Sequence, residues 1–251
     1  MNRMERGWTR VLPWMTLYAV AMALLESAVV VDLRALYYPT GFRFPIVPIG
    51  RTIAITELFR ELATMVMLLA PGAMVTRRGL ERFAWFIYCF GVWDLFYYVF
   101  LKLVLDWPVS WLEWDILFLI PMPWVGPVLA PCIVAVGMVV FGVSILEGRR
   151  RNAKDTVMRT EWVLLLVSAA VMLYTFMEEP LVHAQRAQVT ALSVAAGGDA
   201  LAQWRDYVPA RFNWPVFLLG AALGGGVLVR FGRRVLGGRV ASDPRRWSLK
   251  K

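Results

Sequence analysis

Ionisable side chains interrupt the long apolar stretches of this chain, and their types could do chemistry. Together with one tyrosine on the same stretches, the candidates are Glu26, Glu57, Arg60, Glu61, Asp94, Tyr98, Lys102, Glu178, Glu179 and His183. A charge near the centre of a bilayer costs about 2.5–3.5 kcal/mol on insertion scales. Each of these residues therefore indicates either a site for a substrate, ion or proton, or an ion pair that fixes helix packing.

The charged residues of the second apolar stretch lie on one face of a helix. Glu57, Glu61 and Thr64 follow the i, i+4, i+7 pattern, and Arg60 lies beside them. This spacing predicts a stripe that carries both acidic and basic groups. We expect Arg60 to pair with Asp94 on the next stretch.

A second stripe follows on the third apolar stretch. It combines a small residue, an acid, a phenol and an amine, namely Gly91, Asp94, Tyr98 and Lys102. We expect Lys102 to pair with Glu57 across the two stripes. Glu61 or Glu26 is then a surplus carboxylate, whose proton affinity burial would raise.

Two acids, Glu178 and Glu179, end the fifth apolar stretch and precede the only histidine, His183. Negative side chains at a helix C-terminus are unfavourable by about 0.3–1 kcal/mol each, because they face the negative end of the helix dipole. A proton, a metal or His183, if the chain turns at Pro180, would remove this penalty. A metal site is a separate hypothesis, and its ligands would be Glu57, Glu61, Asp94, Glu178 and His183.

The composition indicates a membrane protein. The chain has 251 residues, of which 59% are hydrophobic and 18% charged, and its mean hydropathy is +0.57. Soluble proteins contain about 25% charged residues. The net charge is +9, but the basic residues lie between apolar runs, so we expect no nucleic-acid partner. We also expect no cofactor, because one histidine cannot form a bis-histidine haem site and no nucleotide-binding or HEXXH motif occurs.

Six stretches reach the length of about 20 residues that a bilayer core requires. They are residues 11–31, 53–75, 82–105, 126–146, 161–179 and 213–231, with approximate ends. The predicted fold class is therefore an all-α, polytopic membrane bundle over residues 1–232, followed by a basic tail over 233–251. Of the Lys and Arg residues, 19 lie on the side of the termini and 6 on the opposite side. The positive-inside rule then predicts cytoplasmic termini in a cell inner membrane.

Two outer segments, about 106–120 and 184–207, are predicted to be amphipathic and to lie on the membrane surface. In the first, Ser110 and Glu113 fit a capping box that would open a short helix. Alanine-rich sequence suggests one or two surface helices in the second.

Helix packing and lipid contacts account for two further features. Gly220 and Gly224 form a GxxxG pattern, which indicates close helix packing within the chain or against a homo-oligomer or membrane-complex partner. The basic tail is predicted to lie on the anionic headgroups of the lipid bilayer.

The charged candidate residues within the predicted spans all fall in the extracytoplasmic half of the bilayer. We therefore infer an outward-facing, carboxylate-rich cavity, or a buried ion-pair network, between spans one, two, three and five. Such a cavity would bind or transport a cation, a proton or a small polar solute. One alternative is a non-catalytic subunit or assembly factor of a membrane complex. A second is an enzyme that uses acid/base carboxylates on a lipid-like substrate, and the sequence leaves the question of catalysis open.

Overall fold

The structure is a computed structural model that describes residues 7–47, 49–120, 122–151, 157–186 and 206–237. Within these ranges the chain folds mainly into long helices. They are α1 (Gly7–Tyr37), α2 (Arg51–Val75), α3 (Gly79–Leu105), α4 (Leu129–Arg150), α5 (Arg159–Arg186) and α6 (Trp214–Gly237). A β-hairpin of β1 (Trp114–Phe118) and β2 (Trp124–Pro127) lies between α3 and α4.

Five of these helices, α1, α3, α4, α5 and α6, are long and apolar enough to cross a membrane. In an apolar stretch of 18 residues in each helix, between 22% and 44% of the residues are buried inside the protein. Most of this apolar surface therefore faces outwards. Helices that are apolar on most sides are typical of membrane spans. The prediction of a multi-pass helical membrane protein is confirmed at this level. A sixth span over α2 and cytoplasmic termini stay predictions.

Three helices extend well past the predicted ends of their spans, and one of them is α6, which continues from residue 231 to Gly237. α1 continues from the predicted end at residue 31 to Tyr37, and α5 continues from residue 179 to Arg186. Pro180 lies inside α5, so the chain does not turn there as we expected. Of the predicted outer segment 184–207, the first three residues belong to α5, and residues 187–205 lie outside the described ranges.

The prediction of a short helix within residues 106–120 was wrong. The side chains of Ser110 and Glu113 accept hydrogen bonds from the nearby amides of Leu112 and Val109, respectively. The chain then enters β1, which pairs antiparallel with β2, with Asp115 opposite Gly126. Aromatic and branched residues favour strands, and the prolines that follow cannot continue a helix.

α3 is the central helix, since it packs against α1, α2 and α4, while α4 and α5 both pack against α6. Small residues permit the closest of these approaches. A Cβ atom at Gly91 would lie 2.5 Å from the Ala135 carbonyl oxygen, and one at Gly142 would lie 2.7 Å from the Ala84 carbonyl oxygen. The backbones of α3 and α4 are therefore in contact along this face, which gives the cavity described below a rigid wall.

Gly142→Val is expected to lower the melting temperature of the detergent-solubilised protein, because its side chain meets the backbone of α3. Overpacking of this kind costs about 1–3 kcal/mol. Gly137→Val is the matched control in the same helix, because the only atom near a Cβ there is 4.0 Å away. Equal melting temperatures for the two variants in a thermal-shift assay would contradict the expectation.

The GxxxG pattern packs within the chain. A Cβ at Gly224 would lie 2.6 Å from the Ser168 hydroxyl oxygen, and Ser168 donates a 2.8 Å hydrogen bond to the Gly220 carbonyl. This face of α6 is thus covered by α5. The predicted oligomer or complex partner at Gly220 and Gly224 stays a prediction, and such a partner would have to share this face with α5.

Candidate functional site

A cavity of about 170 Å³ lies at one end of the bundle. Its walls are the C-terminal halves of α1 and α3 and the N-terminal half of α2, and it is covered by the α1–α2 connection and by β1. The ionisable and phenolic residues that line it are Glu26, Arg34, Tyr37, Tyr38, Glu57, Arg60, Glu61, Asp94, Tyr97, Tyr98 and Asp115. Span five was predicted to form a wall, but no residue of α5 lines this cavity.

Arg60 bridges two acids from different helices. Its Nε atom donates a 2.7 Å hydrogen bond to Glu57, and its Nη1 atom contacts Glu26 of α1. The other Glu26 oxygen accepts a 3.1 Å hydrogen bond from Thr64. The predicted pairing of Arg60 with Asp94 was wrong, because α1 places Glu26 against the charged stripe of α2.

Arg34 and Asp115 form a second, more deeply buried ion pair. Arg34 Nη2 lies 3.2 Å from Asp115 Oδ1, and the Tyr98 hydroxyl donates a 3.1 Å hydrogen bond to Asp115 Oδ2. The guanidinium carbon lies 3.8 Å from the ring centroid of Trp107 and 4.6 Å from that of Phe42, within cation–π range. Burial raises the pKa of Asp115, and Arg34 opposes that rise.

Glu61 fastens the hairpin to α2. Its two carboxylate oxygens accept hydrogen bonds of 3.0 and 3.1 Å from the Leu119 amide, which follows β1. No salt bridge joins this buried side chain to a cation within the described ranges. Of the two carboxylates expected to be surplus, Glu26 is paired with Arg60, whereas Glu61 carries no paired cation.

Asp94 differs from the other four acids of the cavity. No residue in the described part of the chain hydrogen-bonds to its carboxylate or forms a salt bridge with it. The hydroxyl of its neighbour Tyr97 has no partner there either, and the same holds for Nη1 of Arg34. Within the described ranges, the lining groups that lack a partner therefore include the Asp94 carboxylate and several donors. The donors are the Tyr37 and Tyr97 hydroxyls, Arg34 Nη1 and Trp93 Nε1.

Lys102 lies apart from the cavity. Its ammonium group forms a 2.7 Å salt bridge with Asp106 and donates a hydrogen bond of 3.1 Å to the Pro108 carbonyl, and half of the side chain is exposed. The predicted pairing with Glu57 was wrong. α3 ends at Leu105, and Asp106 follows with a φ of 53°, so its carboxylate lies one turn from the lysine.

The acids of α5 hold the chain that leads into α6. Glu179 accepts hydrogen bonds from the amides of Ala210 and Arg211, at 3.0 and 2.8 Å, and Glu178 accepts one of 3.0 Å from the Asn213 side chain. The predicted penalty from the helix dipole does not arise for Glu178 or Glu179, because α5 continues past both acids to Arg186. Backbone and amide donors already satisfy these carboxylates, so they have a structural role.

His183 and the α5 acids line a separate recess together with Tyr207, whose ring centroid lies 5.1 Å from that of His183. The proposed metal ligands are thus divided between two places: Glu57, Glu61 and Asp94 in one, Glu178 and His183 in the other. Across the described ranges, no three His, Cys, Asp or Glu side chains converge as a metal site would require.

Arg34, Asp115 and Tyr97 line the cavity, but none of them was predicted as a site residue from the sequence. A signal for Arg34 was present, because Glu26, Val30 and Arg34 recur at intervals of four on α1, but the predicted span ended at residue 31. Asp115 carried no such signal, because its position depends on the strand pairing of the hairpin.

No protein-family model, no curated protein and no solved structure matches this chain.

Proposed function

We propose that this protein binds a small cationic solute in the cavity and moves it across, or presents it within, a cell inner membrane. In this proposal both termini are cytoplasmic and the cavity opens to the extracytoplasmic side, in accord with the distribution of basic residues. The observation that carries the proposal is the carboxylate of Asp94. Among the five carboxylates that line the cavity, it is the one that has no hydrogen-bond or salt-bridge partner within the described ranges.

The balance of charge favours a cation. Five carboxylates and two guanidinium groups line the cavity, so negative charge exceeds positive charge when all are ionised. Arg60 is shared by Glu26 and Glu57, and Arg34 is paired with Asp115. Uncompensated charge away from bulk water is costly, and a bound cation or proton removes that cost.

The size of the cavity argues against a lipid-like substrate. Pockets for drug-sized ligands measure about 300–1,000 Å³, well above the 170 Å³ found here. A purely structural ion-pair network would leave no carboxylate without a partner. The Arg60 cluster fits that description and Asp94 does not, so binding is favoured over the role of a non-catalytic subunit.

Asp94→Asn is expected to weaken the rise in melting temperature that a bound cation causes. The melting temperature of the detergent-solubilised protein is measured with increasing ammonium, methylammonium, sodium and potassium chloride. A ligand at 100 times its Kd stabilises the folded state by about 2.7 kcal/mol. We expect at least one cation to raise the melting temperature of the wild type, and at least a tenfold weaker response in the variant.

Asp106→Asn is the matched control. It makes the same chemical change at an acid whose side chain is 89% exposed and which does not line the cavity. This control should respond as the wild type does. The proposal is wrong if no cation shifts the wild type, or if Asp94→Asn keeps the full shift.

A further inference from the structure

We propose that the ligand of this cavity is a compact organic ammonium ion with a short apolar body. This inference rests on the proposed function, because it names the class of cation that the same site accepts. It follows from three properties of the cavity: the number of oxygen acceptors that are free to bind a cation, the aromatic rings in its walls, and its volume.

The carboxylates of the cavity are poorly arranged for a bare metal ion. Calcium takes 6–8 oxygen ligands, and magnesium requires nearly ideal octahedral geometry. Here Glu26 and Glu57 are occupied by Arg60, and both oxygens of Glu61 accept the Leu119 amide. Asp115 is occupied by Arg34 and Tyr98. Asp94 remains, and a single carboxylate matches a ligand that needs one strong acceptor.

An ammonium group fits that acceptor. Its N–H groups can donate to the Asp94 carboxylate and to the Tyr97 hydroxyl oxygen, both unpartnered within the described ranges. The two residues are separated by three positions on α3, so they lie on neighbouring parts of one helix face. One ammonium nitrogen can therefore be held between an anionic and a neutral oxygen.

The remainder of the wall suits an apolar body and a positive charge. Besides its four tyrosines, the cavity is lined by Trp93, Phe42, Val30, Leu33, Ile46 and Ile116. Aromatic rings attract cations through their negative faces, most strongly when water is excluded. Aliphatic side chains bury a short alkyl chain at a gain of about fourfold in affinity for each methylene.

The volume limits the length of that chain. A protein cavity of about 150 Å³ accommodates benzene, a molecule of six heavy atoms. The cavity found here, at about 170 Å³, therefore accepts an ammonium ion with an alkyl chain of roughly four carbons. A much longer chain would have to leave the cavity.

A homologous series of amines tests this inference. Binding of ammonium, ethylammonium, butylammonium and octylammonium chlorides to the purified 251-residue chain is measured by isothermal titration calorimetry. We expect affinity to rise by about fourfold per methylene up to butylammonium and to gain nothing further at octylammonium. 1-Butanol, the neutral analogue of butylammonium, should not bind detectably.

Two variants distinguish binding in the cavity from binding to the detergent or to the protein surface. Butylammonium should bind Asp94→Asn at least tenfold more weakly than it binds the wild type or Asp106→Asn. Equal binding to all three proteins would overturn the inference, because the amine would then be partitioning elsewhere.

Failure of this inference can be distinguished from failure of the proposed function. If sodium, potassium or ammonium binds in an Asp94-dependent manner and longer amines bind no better than ammonium, the organic class is wrong and the cation site stands. If neither the inorganic ions nor the amines bind, both proposals are overturned.

Discussion

Replacing Arg60 with methionine should destabilise the folded protein by about 3–5 kcal/mol, measured as the free energy of unfolding in mixed detergent micelles. The loss is large because Arg60 alone bridges Glu26 of α1 and Glu57 of its own helix. Without the guanidinium group, two buried carboxylates face each other uncompensated.

A triple variant distinguishes charge from packing at this site. Arg60→Met combined with Glu26→Gln and Glu57→Gln retains similar side-chain volumes and carries no charge. It should recover most of the stability that the single variant loses. If the triple variant is as unstable as Arg60→Met, the stabilising contribution of Arg60 is its shape and not its charge.

The second large loss of stability is expected at the buried ion pair between Arg34 of α1 and Asp115 of β1. Asp115→Leu should also cost about 3–5 kcal/mol, because it leaves the guanidinium of Arg34 without its anion, with only 9% of that side chain exposed. Thermal unfolding in detergent measures the loss. Tyr98→Phe removes only one hydrogen bond to the same carboxylate and should cost about 0.5–1.5 kcal/mol.

Removing both charges should restore stability. Buried ion pairs that are replaced by apolar residues of similar volume are often neutral or stabilising. Arg34→Met combined with Asp115→Leu should therefore unfold near the wild-type temperature. A double variant less stable than Asp115→Leu alone would contradict the assignment of the loss to an uncompensated cation.

The helices were predictable because apolar length is a local property of the chain. Each predicted span overlaps one helix of the structure, and the concentration of charge in the halves of α1, α2 and α3 that meet was visible in the sequence. The stripe formed by Glu57, Arg60 and Glu61 was also predictable, since helical spacing alone places these residues together.

The partners of those charges were not predictable. Which acid meets Arg60 depends on the rotation of α1 against α2, and that rotation is not encoded in the spacing within one helix. The prediction of a short helix in place of the hairpin failed for a related reason. Ser110 and Glu113 fit a capping box, but the chain after them pairs as a strand with residues about ten positions later. This pairing brings Asp115 into the site, which the sequence did not predict.

The hairpin is anchored to three helices by polar contacts of one side chain each: Arg34 from α1, Glu61 from α2 and Tyr98 from α3. A sliding or tilting movement of any one helix relative to the others must therefore stretch or break at least one anchor. The hairpin therefore couples the positions of the three helices through two residues, Asp115 within the five-residue strand β1 and Leu119 directly after it.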